Sequence, residues 1–434
     1  MQTTIETLGQ LERRMTMAVP AAEIERKVGE RLKKLARTVR MPGFRPGKVP
    51  LKILEQQYGP QVRSEVIGDA IEQAFSEAVR GQNLRVAGYP RIEPKQGGEA
   101  DTLEFSATFE VYPEVVLGDL RERTIERQVL EVGEAEVDKT IDVLRKQRRT
   151  FAAVDRAAAE GDRVTIDFSG TIDGAEFPGG KGTDATFVVG EGRMLAEFEQ
   201  AVAGLAAGGT KRFDLRFPDD YGGKDVAGKT ATFTVAVKKV EEARLPALDE
   251  TFARSLGVAD GDLGKMRAEI RANVEREVKK RLGDGLKQKA MQALLDTATL
   301  TLPKSLVDME IQRLVNGARA DLEARGLKME KVPLDPTLFE QQAKRRVALG
   351  LIIAELVKSK GLAAKPEQVR ALVEEQAASY EEPDEVVKWF YSQPDRIAEV
   401  EALALEQNVV DWVLGEARVT DTPVSFDDLM GRSA

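Results

Sequence analysis

Val39-Arg40-Met41-Pro42-Gly43-Phe44-Arg45-Pro46-Gly47-Lys48-Val49-Pro50 is the stretch from which the rest of the chain is read. Residues 42–50 hold Pro42, Pro46, Pro50, Gly43 and Gly47, so they neither continue a helix nor sit inside a sheet. Pro42-Gly43 and Pro46-Gly47 are turn dipeptides, which predicts two bends within a few residues. Phe44 lies between the bends, with Arg45 and Lys48 beside it. An aromatic between cations at the tip of a tight loop is suited to docking.

The loop lies in a basic window. Residues 26–63 carry eleven Lys or Arg (26, 27, 31, 33, 34, 37, 40, 45, 48, 52 and 63) against Glu30 and Glu55, a charge of +9. The whole chain is −9, so the remainder is −9 − 9 = −18. A basic island on an acidic protein points to a polyanionic partner for that region alone. The competing reading, a solvated helix face, is weaker because the charge surrounds the turn-rich loop.

On the N-terminal side, Ile5, Leu11, Met15, Met17 and Val19 alternate loosely over residues 1–19 and predict strand. Ile24, Val28, Leu32 and Leu35 recur at helical spacing over 21–38. On the other side, residues 51–80 predict one or two helices, with Leu54, Tyr58, Val62, Val66 and Ala70 among the apolar positions. Leu103, Phe105, Ala107, Phe109 and Val111 alternate as a strand. An α+β domain over 1–115, with the loop between two helices, is the result. Residues 116–150 read as a connector, with a strand at 125–132 and a helix at 135–150.

The composition changes after Val154. Val164 to Ile172 is a strand running into the Asp173-Gly174 turn. Phe177-Pro178-Gly179-Gly180 reads as another turn, and Phe187 to Gly190 as a short strand. Phe213 to Phe217 and Thr230 to Val240 alternate, and a brief helix is expected near 194–203. These short strands and one short helix predict a small β domain over 151–243. From Pro246 onward no strand signal appears. Asp335-Pro336 marks a helix start, and Arg325-Gly326 and Lys360-Gly361 mark helix ends. Narrow apolar stripes on charged backgrounds predict extended helical arms over 244–434. The expected fold class is therefore multidomain α+β, with the small β domain inserted before an extended all-α C-terminal domain.

The 434 residues include no Cys and no His. Disulfides, thiolate nucleophiles, Cys-ligated metals, Ser-His-Asp triads and imidazole bases are excluded. No cofactor or metal is expected. No run of about 18 apolar residues appears, so no membrane partner is expected. The opening Met1-Gln2-Thr3-Thr4-Ile5-Glu6 lacks the basic-then-apolar pattern of a signal peptide, which makes a cytoplasmic location the expectation.

Gly43-Phe44-Arg45-Pro46-Gly47-Lys48-Val49-Pro50 resembles the ribosome-binding signature of the bacterial trigger factor family, Gly-Phe-Arg-x-Gly-Lys-x-Pro. Phe109 to Val115 and Gln342 to Val347 are similar to the same family, and residues 161–240 resemble its FK-binding-type peptidyl-prolyl isomerase fold. The resemblance covers essentially the whole chain. It implies a chaperone that docks at the polypeptide exit of the large ribosomal subunit and binds nascent and unfolded polypeptides. Gly43, Phe44, Arg45, Gly47, Lys48 and Pro50 would contact a ribosomal protein and nearby ribosomal RNA.

It also implies prolyl isomerase activity in a pocket walled by Phe168, Phe177, Met194, Leu195, Phe198, Tyr221 and Phe233. The Leu195 N–H is the expected anchor for the substrate carbonyl, and the Tyr221 hydroxyl a second donor. Departures from the family pattern are Ala196-Glu197 before Phe198, where a Pro/Arg-Gly pair is usual, and Pro178 after Phe177, where an acidic residue is usual. They predict an added charge from Glu197 at the pocket rim. Met309, Met329 and Leu334 are candidate contributors to an apolar client surface. Two other readings stay open: a non-catalytic holdase, and a free-standing isomerase without ribosome docking. A homodimer off the ribosome is an option that the sequence does not decide.

Overall fold

Alternation at 102–111 and an apolar stripe at 24–35 build the first layer. The computed structural model describes residues 3–42, 44, 49–95, 102–326, 334–378, 380 and 382–431. Strands β1 (Thr3–Thr7) and β2 (Glu12–Pro20) form a hairpin, so the loose alternation of 1–19 is two strands broken at Gly9. Helices α1 (Ala21–Thr38) and α2 (Leu51–Gly81) follow, then β3 (Val86–Pro94) and β4 (Thr102–Val111). The sheet order is β1-β2-β4-β3. Met15, Met17 and Val19 of β2 lie on one face with Phe105, Ala107 and Phe109 of β4, and the helices bury Ile24, Val28, Leu32, Leu54, Val62 and Val66 against them. α2 is a single helix that runs through Pro60, although that ring removes one ladder donor.

Next in the chain come β5 (Thr124–Val129), α3 (Glu134–Gln147), β6 (Thr150–Ala153), β7 (Arg163–Ile172), β8 (Ala175–Val188), α4 (Ala196–Val202), β9 (Thr210–Arg216) and β10 (Thr230–Arg244). They are followed by α5 (Glu250–Ser255), α6 (Leu263–Thr297), α7 (Lys304–Ala324), α8 (Glu340–Lys360), α9 (Pro366–Ala377), α10 (Pro383–Tyr391), α11 (Pro394–Glu416), β11 (Arg418–Pro423) and α12 (Phe426–Leu429). Two compact units result: Met1–Gln128 with Asp284–Thr422, and Val129–Gly283 with Pro423–Ala434.

Within the first unit, α7 is joined to the N-terminal sheet. Ser305 donates its hydroxyl to the Ala87 carbonyl at 2.9 Å. A second core gathers Leu120 from a 3-10 turn, Ile125 from β5, and Leu294, Ile352, Leu356, Val409 and Val413 from the later helices. β11 pairs with β5, so the region after Pro246 is not wholly helical. Arg418 to Pro423 has no apolar alternation, because its pairing is made by backbone and by the Arg127–Asp421 ion pair at 2.7 Å. The Asp335-Pro336 signal opens a short 3-10 turn, Pro336–Phe339, that leads into α8. Gly361 ends α8 in the left-handed conformation, φ +68°.

The second unit holds a five-stranded sheet ordered β6-β10-β7-β8, with β9 pairing β10. Asp173 and Gly174 have φ +51° and +82°, the backbone of a tight hairpin turn between β7 and β8. Phe177-Pro178-Gly179-Gly180 lies inside β8 and does not end a strand. Pairing jumps from Ser169↔Lys181 to Thr171↔Glu176, so residues 177–180 bulge out opposite Gly170. Pro178 is tolerated because β8 is at the sheet edge. In the same unit α3, α5, the first part of α6 and α12 share a core of Val137, Ile141, Phe252, Met266, Ile270 and Phe426.

Candidate functional site

The second unit's sheet and α4 share one core. It contains Val164, Ile166, Phe187, Phe198, Leu215, Phe217, Phe233 and Val235. Glycines make room for the rings. A Cβ on Gly170 would lie 2.4 Å from the Phe233 ring, and one on Gly182 would lie 2.4 Å from the Phe168 ring. Phe198 sits in the first turn of α4, buried, with its ring edge-to-face at 5.7 Å from Phe168 and at 5.5 Å from Phe233. Phe177, in the bulged stretch of β8, meets Phe233 at 6.1 Å.

A pocket of about 350 Å³ opens over these rings. All seven residues expected to wall it line it: Phe168, Phe177, Met194, Leu195, Phe198, Tyr221 and Phe233. Phe198 and Phe233 form the floor and also belong to the domain core. Tyr221 is 41% exposed at the mouth, with its ring 4.9 Å from Phe217. Leu195 stands at the N-terminal boundary of α4, and no acceptor among the described residues takes its N–H. Leu215, Phe217 and Val226 line the pocket as well, and sequence reasoning missed them. The alternation of Phe213, Leu215 and Phe217 carried the signal, since it places all three on one face of β9 and its continuation.

The charge at the rim is not where the sequence placed it. Glu197 is exposed and is not among the lining residues, while Arg193 is. Consecutive helical residues point about 100° apart, so the turn that sends Phe198 inward sends Glu197 out. Pro178 lines the pocket.

The N-terminal loop is described at Phe44, Val49 and Pro50. Phe44 is 37% exposed, and its N–H donates to the Met41 carbonyl at 3.1 Å. Val49 is buried, and Pro50 precedes the first residue of α2. Gly43, Arg45, Gly47 and Lys48 lie outside the described residues. Around the loop, Lys33, Lys34, Arg37, Arg40 and Lys52 are exposed and, among the described residues, make no ion pair with an acidic side chain. Of the expected client-surface residues, Met309 is exposed, Leu334 is half-buried and Met329 is outside the described residues. Among the described residues no cluster of acidic side chains could hold a metal, and no helix is long and apolar enough to cross a membrane.

The twisted sheet, its single short helix and the aromatic-floored pocket define an isomerase domain, and residues 154–238 match the family model of FKBP-type peptidyl-prolyl cis-trans isomerases. Residues 1–144 match that of bacterial trigger factor protein, and residues 262–415 match that of its C-terminus. The chain is 57% identical to the trigger factor of Aromatoleum aromaticum over 434 residues, and 56% identical to that of Azoarcus sp. strain BH72 over 437 residues; both alignments cover 100% of each chain. This chain belongs to the bacterial trigger factor family. It is a ribosome-associated chaperone with peptidyl-prolyl isomerase activity, and ribosomes and unfolded polypeptides are its partners.

Proposed function

We propose that the two activities are divided between the Phe44 loop and the Phe198 pocket. Gly43, Phe44, Arg45, Gly47, Lys48 and Pro50 dock the chain at the polypeptide exit of the large subunit, on a ribosomal protein and adjacent ribosomal RNA. The cations at 33, 34, 37, 40 and 52, which make no ion pair among the described residues, support an anionic partner for this region. Phe44 adds apolar contact that salt does not screen. Residues 1–115 form the docking domain, 116–150 connect, 151–243 isomerise and 244–434 cradle the client. The chain acts in the cytoplasm.

Isomerisation needs no acid, base or metal. Amide resonance sets a barrier of about 18–20 kcal/mol to rotation about the X-Pro bond. The planar amide is the more charge-separated form, so an apolar pocket disfavours it relative to the twisted transition state. Phe168, Phe177, Met194, Phe198 and Phe233 supply that surface. The free Leu195 N–H holds the substrate carbonyl while the prolyl side turns, and the Tyr221 hydroxyl is a second donor at the mouth. The observation that carries this reading is that all seven residues line one pocket, beside a Leu195 N–H that no acceptor among the described residues takes. A proline-limited refolding assay tests it. Phe198→Ala should remove most of the acceleration, and a variant that stays folded and as fast as the parent would refute the assignment.

A further inference from the structure

Glu199 is one of three charged side chains buried among the described residues, with Asp162 and Glu241. The other two face cations: Arg156 pairs with Asp162, and Arg163 and Lys239 pair with Glu241. Glu199 is 6% exposed and, among the described residues, has no cation within ion-pair distance. Its partners are two backbone amides instead. Oε2 accepts the Gly190 N–H at 2.7 Å, and Oε1 accepts the Met194 N–H at 3.0 Å. A buried carboxylate without a counter-charge is costly unless directed donors satisfy it, and charge-assisted bonds of this kind are strong. An apolar residue here would avoid that cost but strand both amides.

Those two amides bracket the loop 190–194, which leads directly into the pocket wall. Gly190 and Gly192 have φ +89° and +67°, conformations that glycine alone adopts cheaply. The near end of the loop has other anchors. The Val189 N–H donates to the Asp162 carbonyl at 3.0 Å, and Arg149 pairs with Glu191. At the far end, Glu199 is the sole acceptor for the Met194 N–H among the described residues. Met194 and Leu195 line the pocket from this side, while Phe198, the residue before Glu199, is its floor.

We propose that Glu199 is a positioning residue of the isomerase. It ties the helix that carries the floor to the loop that carries the wall, and so fixes Gly190 and Met194 against the first turn of α4, where the Leu195 carbonyl already accepts the Phe198 and Glu199 N–H groups. It touches no substrate. The proposal rests on the reading of this pocket as the isomerase site.

The test compares the full chain with Glu199→Gln and Glu199→Ala, using a short X-Pro peptide as substrate and amide hydrogen exchange as a second readout. Glu199→Ala should lose about tenfold in kcat/KM per folded molecule, mostly in kcat, because misplaced groups cost rate without abolishing binding. Glu199→Gln, with one acceptor oxygen left, should fall between. Exchange at Gly190 and Met194 should accelerate while β7 and β10 stay protected. Lowered stability with kcat unchanged in both variants overturns the proposal. So does exchange at Gly190 and Met194 as fast as in open loops in the unmodified protein, a measurement that requires no variant to fold. Phe198→Ala in the same peptide assay separates the two levels: full activity there overturns the pocket assignment itself.

Discussion

Glu110 at the end of β4 caps a helix that begins nearly two hundred residues later: its carboxylate accepts the Ser305 N–H at 2.6 Å and the Lys304 N–H at 3.0 Å. These are the first two amides of α7, whose own boundary residue, Pro303, supplies no side-chain cap. The N-terminal sheet thus provides the acceptor that the helix lacks, and a negative charge at its positive end. Nearby, Gly88 has φ +76°, and a Cβ there would lie 2.7 Å from that of Ser305.

Glu110→Ala should destabilise the first unit by about 1–3 kcal/mol, since it leaves two donors without their partner. Urea unfolding followed by Trp389 and Trp412 fluorescence measures it, because these are the chain's two tryptophans. Gly88→Ala should cost more, as strain and the clash with Ser305 add. A midpoint unchanged in Glu110→Ala would show that water replaces the carboxylate without loss.

Tyr221 separates pocket chemistry from packing. It is 41% exposed at the mouth, so Tyr221→Phe should leave thermal stability within about 0.5 kcal/mol. If its hydroxyl donates to the bound peptide, the variant should lose several-fold in kcat/KM on an X-Pro peptide, in line with the loss of about one hydrogen bond. An unchanged rate would restrict Tyr221 to shaping the mouth.

Acid should weaken the isomerase domain in a predictable window. Burial is the largest influence on Asp162 and opposes its ionisation, but the Arg156 guanidinium and the Ala159 N–H together outweigh it and hold the carboxyl below its usual range. Glu241 is also held low, chiefly by its hydrogen bond to Lys239 and then by Arg163, against its own burial. A folded-state pKa below the unfolded value gives stability that is full above the unfolded pKa, about 4 for these groups, and lost as pH falls through the folded value. Protection factors of β7 and β10 amides, each taken against intrinsic exchange at the same pH, should therefore fall between about pH 5 and pH 3. Asp162→Asn should start less stable and show a flatter pH profile.

Local chemistry made much of this molecule legible. Asp173-Gly174 turns because those residues tolerate positive φ, and Phe105, Ala107 and Phe109 face one core because strand side chains alternate. The pocket walls were recoverable because the family pattern could be matched residue by residue. What escaped was non-local or inverted the usual meaning of a residue. β11 pairs with β5 from the other end of the chain, through backbone that carries no side-chain signature. Glu110 serves a helix far downstream. No motif marks Glu199 in the sequence, yet the structure buries it and directs both its oxygens to one loop. Glu197 and Phe198 show the same limit at closer range, since only the register of α4 decides which of them enters the pocket.

The claim that one loop sets location while another site performs the chemistry is tested most directly by co-sedimentation with ribosomes. The chain carrying Phe44→Ala, Arg45→Ala and Lys48→Ala should remain folded and fail to pellet with ribosomes, whereas the unmodified chain pellets and is released as salt rises. A triple variant that still pellets as the unmodified chain does would contradict the account.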